Sequence, residues 1–340
     1  MRFVKRVVFL GLICFWGILN CHISYAQEKY EGMCGEDVRW TYSDGVLIVS
    51  GKGEMTSSPW MKKKSCWKEI RKVVISEGIT TICDSAFSST EIIYEYDFLK
   101  DGIQLPDSLK EIGKNAFAYG YRLQNISIPK NVQVIESGAF ASNKSLQQVT
   151  IQEGSCLNRI GEYAFSSCMK LEEINLPASV TYIGEGAFAD CKKIKDIILP
   201  NSLQMLGDSA FDGCESIEKM CMPAVITTIP KKCFSRCTNL KSIQLSEETK
   251  EIGTSAFAYC NQLENFSFPE KVTKIGKRAF SYCTSIQELV LPDSIIQIGK
   301  NAFEHCAGVK KVRLSNNMTE IPMNAFMDCV SLKTINIPDS

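Results

Sequence analysis

The 340-residue chain predicts a mainly β fold with short helical turns, built as a solenoid of about 11 coils behind an N-terminal β-hairpin cap. Three observations carry this reading. Eleven Phe residues, each preceded by Ala or Cys, stand at 87, 117, 140 and 165 and then every 23 residues from 188 to 326. Eight cysteines follow the Phe by three residues in register, from Cys168 to Cys329, and a Pro recurs in most coils at 106, 129, 177, 200, 223, 269, 292 and 338. A strict period of this length means one supersecondary unit copied into a stack, held by nearest-neighbour contacts.

The chain divides into residues 1–26, 27–69 and 70–340. The first segment reads as a signal peptide: Arg2, Lys5 and Arg6 precede an apolar run from Val7 to Leu19, and Ser24-Tyr25-Ala26 offers a cleavage site before Gln27. The apolar run is shorter than the roughly 20 residues a bilayer-spanning helix needs, so export is expected and no transmembrane span in the mature chain. Leu19-Asn20-Cys21 loosely matches a lipid-attachment box, but Asn stands where a small residue belongs, so cleavage after Ala26 is preferred to lipid anchoring at Cys21. Lys plus Arg and Asp plus Glu both total 38, and removing the signal takes away three positive charges. No basic field remains for nucleic acid.

Residues 27–69 depart from the period. Val38 to Tyr42, the Ser43-Asp44-Gly45 turn and Val46 to Ser50 read as a hairpin with a D-G connection, placed to cover the open edge of a first coil. Cys34 and Cys66 flank this cap and are candidates to pair in an oxidising compartment.

Cys168 to Phe188 is a typical coil. Leu171, Ile174 and Leu176 mark a short strand pointing inward, and Pro177 ends it. Val180 and Ile183 point inward across a second extended stretch, Gly184 sits where a Cβ would obstruct the backbone, and Ala187-Phe188 fills the far side. Phe188, Phe211 and Phe257 are therefore structural. So are Cys191, Cys214 and Cys260, because a register-locked thiol column packs as small hydrophobes and no C-x-x-C pair offers a metal site. Seven extra residues within Glu91 to Asp101 interrupt the period, and the chain stops in mid-coil at Ile337 to Ser340, which raises end-to-end self-association as one reading.

The coil C-x-x-L-x-x-I-x-L-P-x-x-V-x-x-I-G-x-x-A-F resembles the repeat of BspA-like leucine-rich repeat surface proteins over roughly residues 70 to 340. Cys34-Gly35-Glu36, Trp40, Asp44-Gly45, Ser50-Gly51, Gly53 and Pro59-Trp60 are similar to the segment preceding those repeats. The resemblance implies a right-handed leucine-rich repeat solenoid on an exported surface protein associated with adhesion to host or matrix proteins. It transfers no catalytic or binding residue. Ile229-Pro230 and Ile321-Pro322 depart from Ile-Gly, and Cys233 replaces Ala before Phe.

Candidate ligand positions fall in three groups. Tyr259, Tyr282 and His305 sit two residues after Phe in consecutive coils and would form an aromatic ladder; mutual packing beside the Cys column is the competing reading. Tyr94, Tyr96 and Phe98 lie in the insertion, where packing over a sheet edge competes. Asn175, Gln244 and Asn265 belong to an outward strand strip that is otherwise a solvated face. No cofactor or metal is implied. An enzyme is not expected, because His22 leaves with the signal and His305 alone remains. The function expected is an exported recognition scaffold binding extracellular proteins through one face. A carbohydrate-binding component of a glycan-capture system and a structural spacer are the alternatives.

Overall fold

The computed structural model describes residues 29–62, 69–88, 99–264 and 266–340. The segment expected to be a signal peptide, with Cys21, as well as Cys66, Tyr94, Tyr96, Phe98 and Asn265, lies outside the described residues.

The cap is a three-stranded antiparallel sheet. Strands β2 (Asp37–Ser43) and β3 (Val46–Glu54) form the expected hairpin, with Ser43 opposite Val46. Asp44 and Gly45 take φ of 53° and 77°, the left-handed pair that a two-residue hairpin turn requires. Strand β1 (Tyr30–Met33), which the hairpin reading did not include, pairs with β2. The far edge of β3 runs parallel to β4 (Lys72–Ile75) and β5 (Ile79–Ile82), so the cap starts both sheets of the solenoid. The helical content expected in the coils is replaced by hydrogen-bonded turns, and the cap carries one 3-10 turn at Pro59–Lys62.

The coils stack into three parallel columns. One sheet collects the two-residue strands ending in the inward Ile or Leu, such as Tyr182–Ile183. A second collects strands such as Gln148–Ile151, paired in register with Asn125–Ile128. The third column is the turn around each Phe, where the Phe N–H donates to the residue before the next Phe, as Phe188 to Ala210 at 2.9 Å. Between these columns the Phe rings form one stack, buried from Phe87 to Phe303, with successive centroids 5.1–5.7 Å apart. Trp60 extends that stack into the cap, 5.3 Å from Phe87, and donates its Nε1–H to the Ala86 carbonyl at 2.9 Å. The cap therefore continues the core and does not merely cover it.

The glycine after the inward Ile is demanded by stacking. A Cβ on Gly184 would lie 2.6 Å from the Glu162 nitrogen of the preceding coil. Its N–H donates to the Ile160 carbonyl at 2.9 Å, a rung repeated by Gly161, Gly207, Gly253, Gly276 and Gly299. The cysteine column does more than pack. Every thiol from Cys168 to Cys329 donates to the carbonyl of the Phe one coil back at 3.1–3.3 Å, as Cys191 to Phe165. Asn143 takes the same place with its amide on the Phe117 carbonyl at 2.8 Å. A buried carbonyl left without a donor costs about 1–3 kcal/mol, so the column's residues share a donor hydrogen as well as a small volume.

Candidate functional site

From Phe117 on, the turn column places the residue two after the Phe at positive φ, whatever its identity: Ser167, Asp190, Arg236, Tyr259, Tyr282, His305 and Asp328 all lie between 57° and 65°. This backbone turns the side chains outward in a row one coil apart. Tyr259 and Tyr282 stack with centroids 4.6 Å apart and planes 10° from parallel, and Tyr282 and His305 follow at 4.3 Å and 23°. The expected ladder is therefore formed. Tyr259 is 45% exposed, while Tyr282 and His305 are half-buried. Tyr282 is stacked on both faces, whereas Tyr259 and His305 each have a ring on one face only.

Charge surrounds the ladder. His305 Nδ1 lies 3.3 Å from Asp328 Oδ2, and Arg278 reaches Glu304 at 3.8 Å. Arg236 bridges Asp190 at 3.2 Å and Asp212 at 2.9 Å, and its hydrogen bond to Asp212 raises its pKa. Arg236, Tyr259, Arg278, Tyr282 and Glu304 line one open groove of about 450 Å³. A partner reaching into it meets aromatic edge, guanidinium and carboxylate within three coils.

The other predicted positions are scattered. Asn175 is exposed on the second sheet and donates to its neighbour Glu173 at 3.1 Å. Gln244 is exposed on the same face three coils further on, and its Oε1 accepts from the Cys221 thiol at 3.8 Å. Cys34 is a buried free thiol, pushed up to about 12 chiefly by burial.

A second polar aromatic cluster was not anticipated. The Arg159 guanidinium sits 3.9 Å over the Tyr182 ring, and the Tyr182 hydroxyl donates to Glu162 at 2.7 Å. Ser137 also donates to Glu162, and with Tyr182 it holds that carboxyl at about 2. Tyr163 donates to Glu185 one coil on. The signal was present in Tyr163 and Tyr182, but these sit at two different positions of the coil, and only stacking brings their partners together.

Thiol chemistry is suppressed along the column. Burial raises Cys168 to about 12 and holds Cys191, Cys214, Cys237 and Cys260 well above the ordinary range, so little reactive thiolate forms at neutral pH. Among the described residues no cluster of three or more His, Cys, Asp or Glu is arranged to hold a metal, and no helix is long and apolar enough to cross a membrane.

Curated proteins offer no match to the chain. A leucine-rich repeat protein from Bacteroides ovatus is similar at 23% identity over 91% of this chain and 92% of its own, with a TM-score of 0.61, a likeness of fold. A leucine-rich cell surface protein from Faecalibacterium prausnitzii aligns at 21% identity over 92% and 95% of the two chains with a TM-score of 0.45. A leucine-rich repeat protein of T. pallidum is 32% identical over 42% of this chain and 70% of its own, with a TM-score of 0.41. Six copies of the BspA type leucine-rich repeat region match residues 64–171, 158–287 and 250–340. With its Phe stack, its two parallel sheets and this repeat over most of its length, the chain belongs to the BspA-type leucine-rich repeat family.

Proposed function

We propose that the protein is an exported recognition scaffold that binds an extracellular protein through the turn face bearing Tyr259, Tyr282 and His305. The observation that carries this reading is the stacked, partly exposed ladder beside the groove between Arg236 and Arg278. Aromatic and Arg side chains dominate the energetics of protein interfaces, and here a rigid column holds them in place, so little ordering entropy opposes binding.

Binding of the purified chain to a panel of immobilised extracellular-matrix proteins, read by biolayer interferometry, tests the reading. Replacing Tyr259 and Tyr282 together by Ala should weaken the interaction by about 10-fold to 100-fold, the scale of one or two hot-spot residues. Binding that persists at full strength in the double variant moves the site off the ladder.

A further inference from the structure

We propose that the interval between the coil of Phe211 and the coil of Phe234 is a hinge, at which the solenoid bends by opening both sheets while the turn column holds. In the first sheet Met205–Leu206 ends one run of paired strands and Thr228–Ile229 starts another, with no pairing between them. In the second sheet the segment around Ile197 does not pair with Lys219–Cys221. Backbone hydrogen bonds between the two coils survive only in the turn column: Ser209 to Lys231, Phe211 to Cys233 and Gly213 to Ser235.

The Phe234 coil lacks two donors that other coils supply. Pro230 occupies the glycine position, and without an N–H it cannot donate to the Leu206 carbonyl as Gly207 does to Ile183. Val225 occupies a position where Ser179, Ser202 and Ser294 donate their hydroxyls to the preceding coil; Glu248 and Lys271 omit that donor in the next two coils, but there the glycine rung is kept and the first sheet stays paired. Pro322 removes the same rung near the other end, yet there the second sheet continues from Lys311–Arg313 into Thr334–Asn336. Among the described residues, the Phe234 coil is thus where both donors and both ladders lapse together. No residue of Lys219–Cys221 bars pairing, so the second lapse accompanies the first without a sequence cause of its own.

The packing agrees with an opened seam. Phe211 and Phe234 are 5.7 Å apart, the widest step of the Phe stack, and the Cys237 thiol stands 3.3 Å from the Phe211 carbonyl, the longest contact of its column. Leu206 is 7% exposed, whereas its counterparts Ile183 and Ile252 are fully buried. Open grooves of about 660 and 510 Å³ flank the seam, one on each sheet. The ladder of Tyr259 to His305 lies on one side of this seam and the Arg159–Tyr182 cluster on the other. Bending there changes the angle between the two surfaces, and the Arg236 ion pairs to Asp190 and Asp212 cross the seam within the turn column that holds.

Hydrogen exchange by mass spectrometry on the full chain tests the hinge. Amides of 217–231 are expected to exchange roughly tenfold or more faster than those of 240–254, while Phe211 and Gly213 stay protected. Equal protection of the two segments overturns the proposal. The Val225→Ser/Pro230→Gly variant restores both donors, and it should slow exchange at 217–231 and narrow the range of maximum dimensions seen by small-angle X-ray scattering. Scattering that fits one rigid solenoid equally well for the native chain and the variant also overturns it.

Discussion

Replacing Phe188 by Ala should cost far more than the same change at Phe326, although both residues obey the same repeat. Phe188 is fully buried, with Phe165 at 5.5 Å and Phe211 at 5.6 Å stacked within 4° of parallel on its two faces. Phe326 is only partly buried and has one ring neighbour, Phe303 at 5.4 Å. A fully buried Phe→Ala change costs about 3–5 kcal/mol, and each stacked pair adds about 0.5–1.5 kcal/mol beyond its area. Phe188→Ala removes two such pairs and leaves a cavity between coils, so a loss of about 5 kcal/mol or more is expected. Phe326→Ala removes one pair at a site that solvent already reaches, and about 2 kcal/mol is expected by the same scaling. Because a stack of repeats need not unfold in one step, urea titrations followed by far-UV circular dichroism should be fitted to a nearest-neighbour model. Equal losses at the two positions would refute the reasoning, since they would mean that stability does not depend on the number of neighbouring rings.

Brief iodoacetamide treatment of the folded chain should alkylate the exposed Cys156 and Cys221 and spare the column from Cys168 to Cys306, as read by peptide mass spectrometry; rapid labelling of Cys260 would contradict its buried donor role. The same thiols make stability fall in alkali. Cys168 is pushed from 9.0 to about 12 by burial, so its contribution is intact below pH 9 and is lost as pH rises from there toward 12. Denaturant midpoints measured from pH 7 to 11 should decline over the upper half of that range. Glu162 acts in the opposite direction: its carboxyl is lowered from 4.5 to about 2 by the Ser137 and Tyr182 hydroxyls, so its contribution is present above pH 4.5 and lost as pH falls toward 2. Glu162→Gln should flatten the acid limb of the stability profile, and an unchanged limb would show that those hydroxyl contacts do not favour the charged form.

The inward positions were legible because the repeat marks them. Phe, the inward Ile and the Cys recur at constant offset, and a side chain that must meet its own copy in the next coil leaves that offset in the sequence. The Tyr259 to His305 ladder was legible for the same reason. What the cysteines do was not, since a thiol column chosen for volume and one chosen to donate to a carbonyl have the same spacing. Asn143, which holds the column's position without a thiol, serves the carbonyl of Phe117 in the same way. The strand β1 and the place of Trp60 in the Phe stack were missed because the cap follows no period that could align Trp60 with Phe87.

The sequence by itself determined the coil, its interior and the row in which the candidate ligand residues stand, because a stack of identical units repeats its constraints in one dimension. Only the tertiary structure decided what lies between coils: which carbonyl each thiol meets, that Tyr282 is stacked between Tyr259 and His305, and that strand pairing lapses in both sheets between the coils of Phe211 and Phe234. Those properties belong to pairs of residues about 23 positions apart, and a substitution such as Gly to Pro acquires its meaning from the carbonyl of the neighbouring coil.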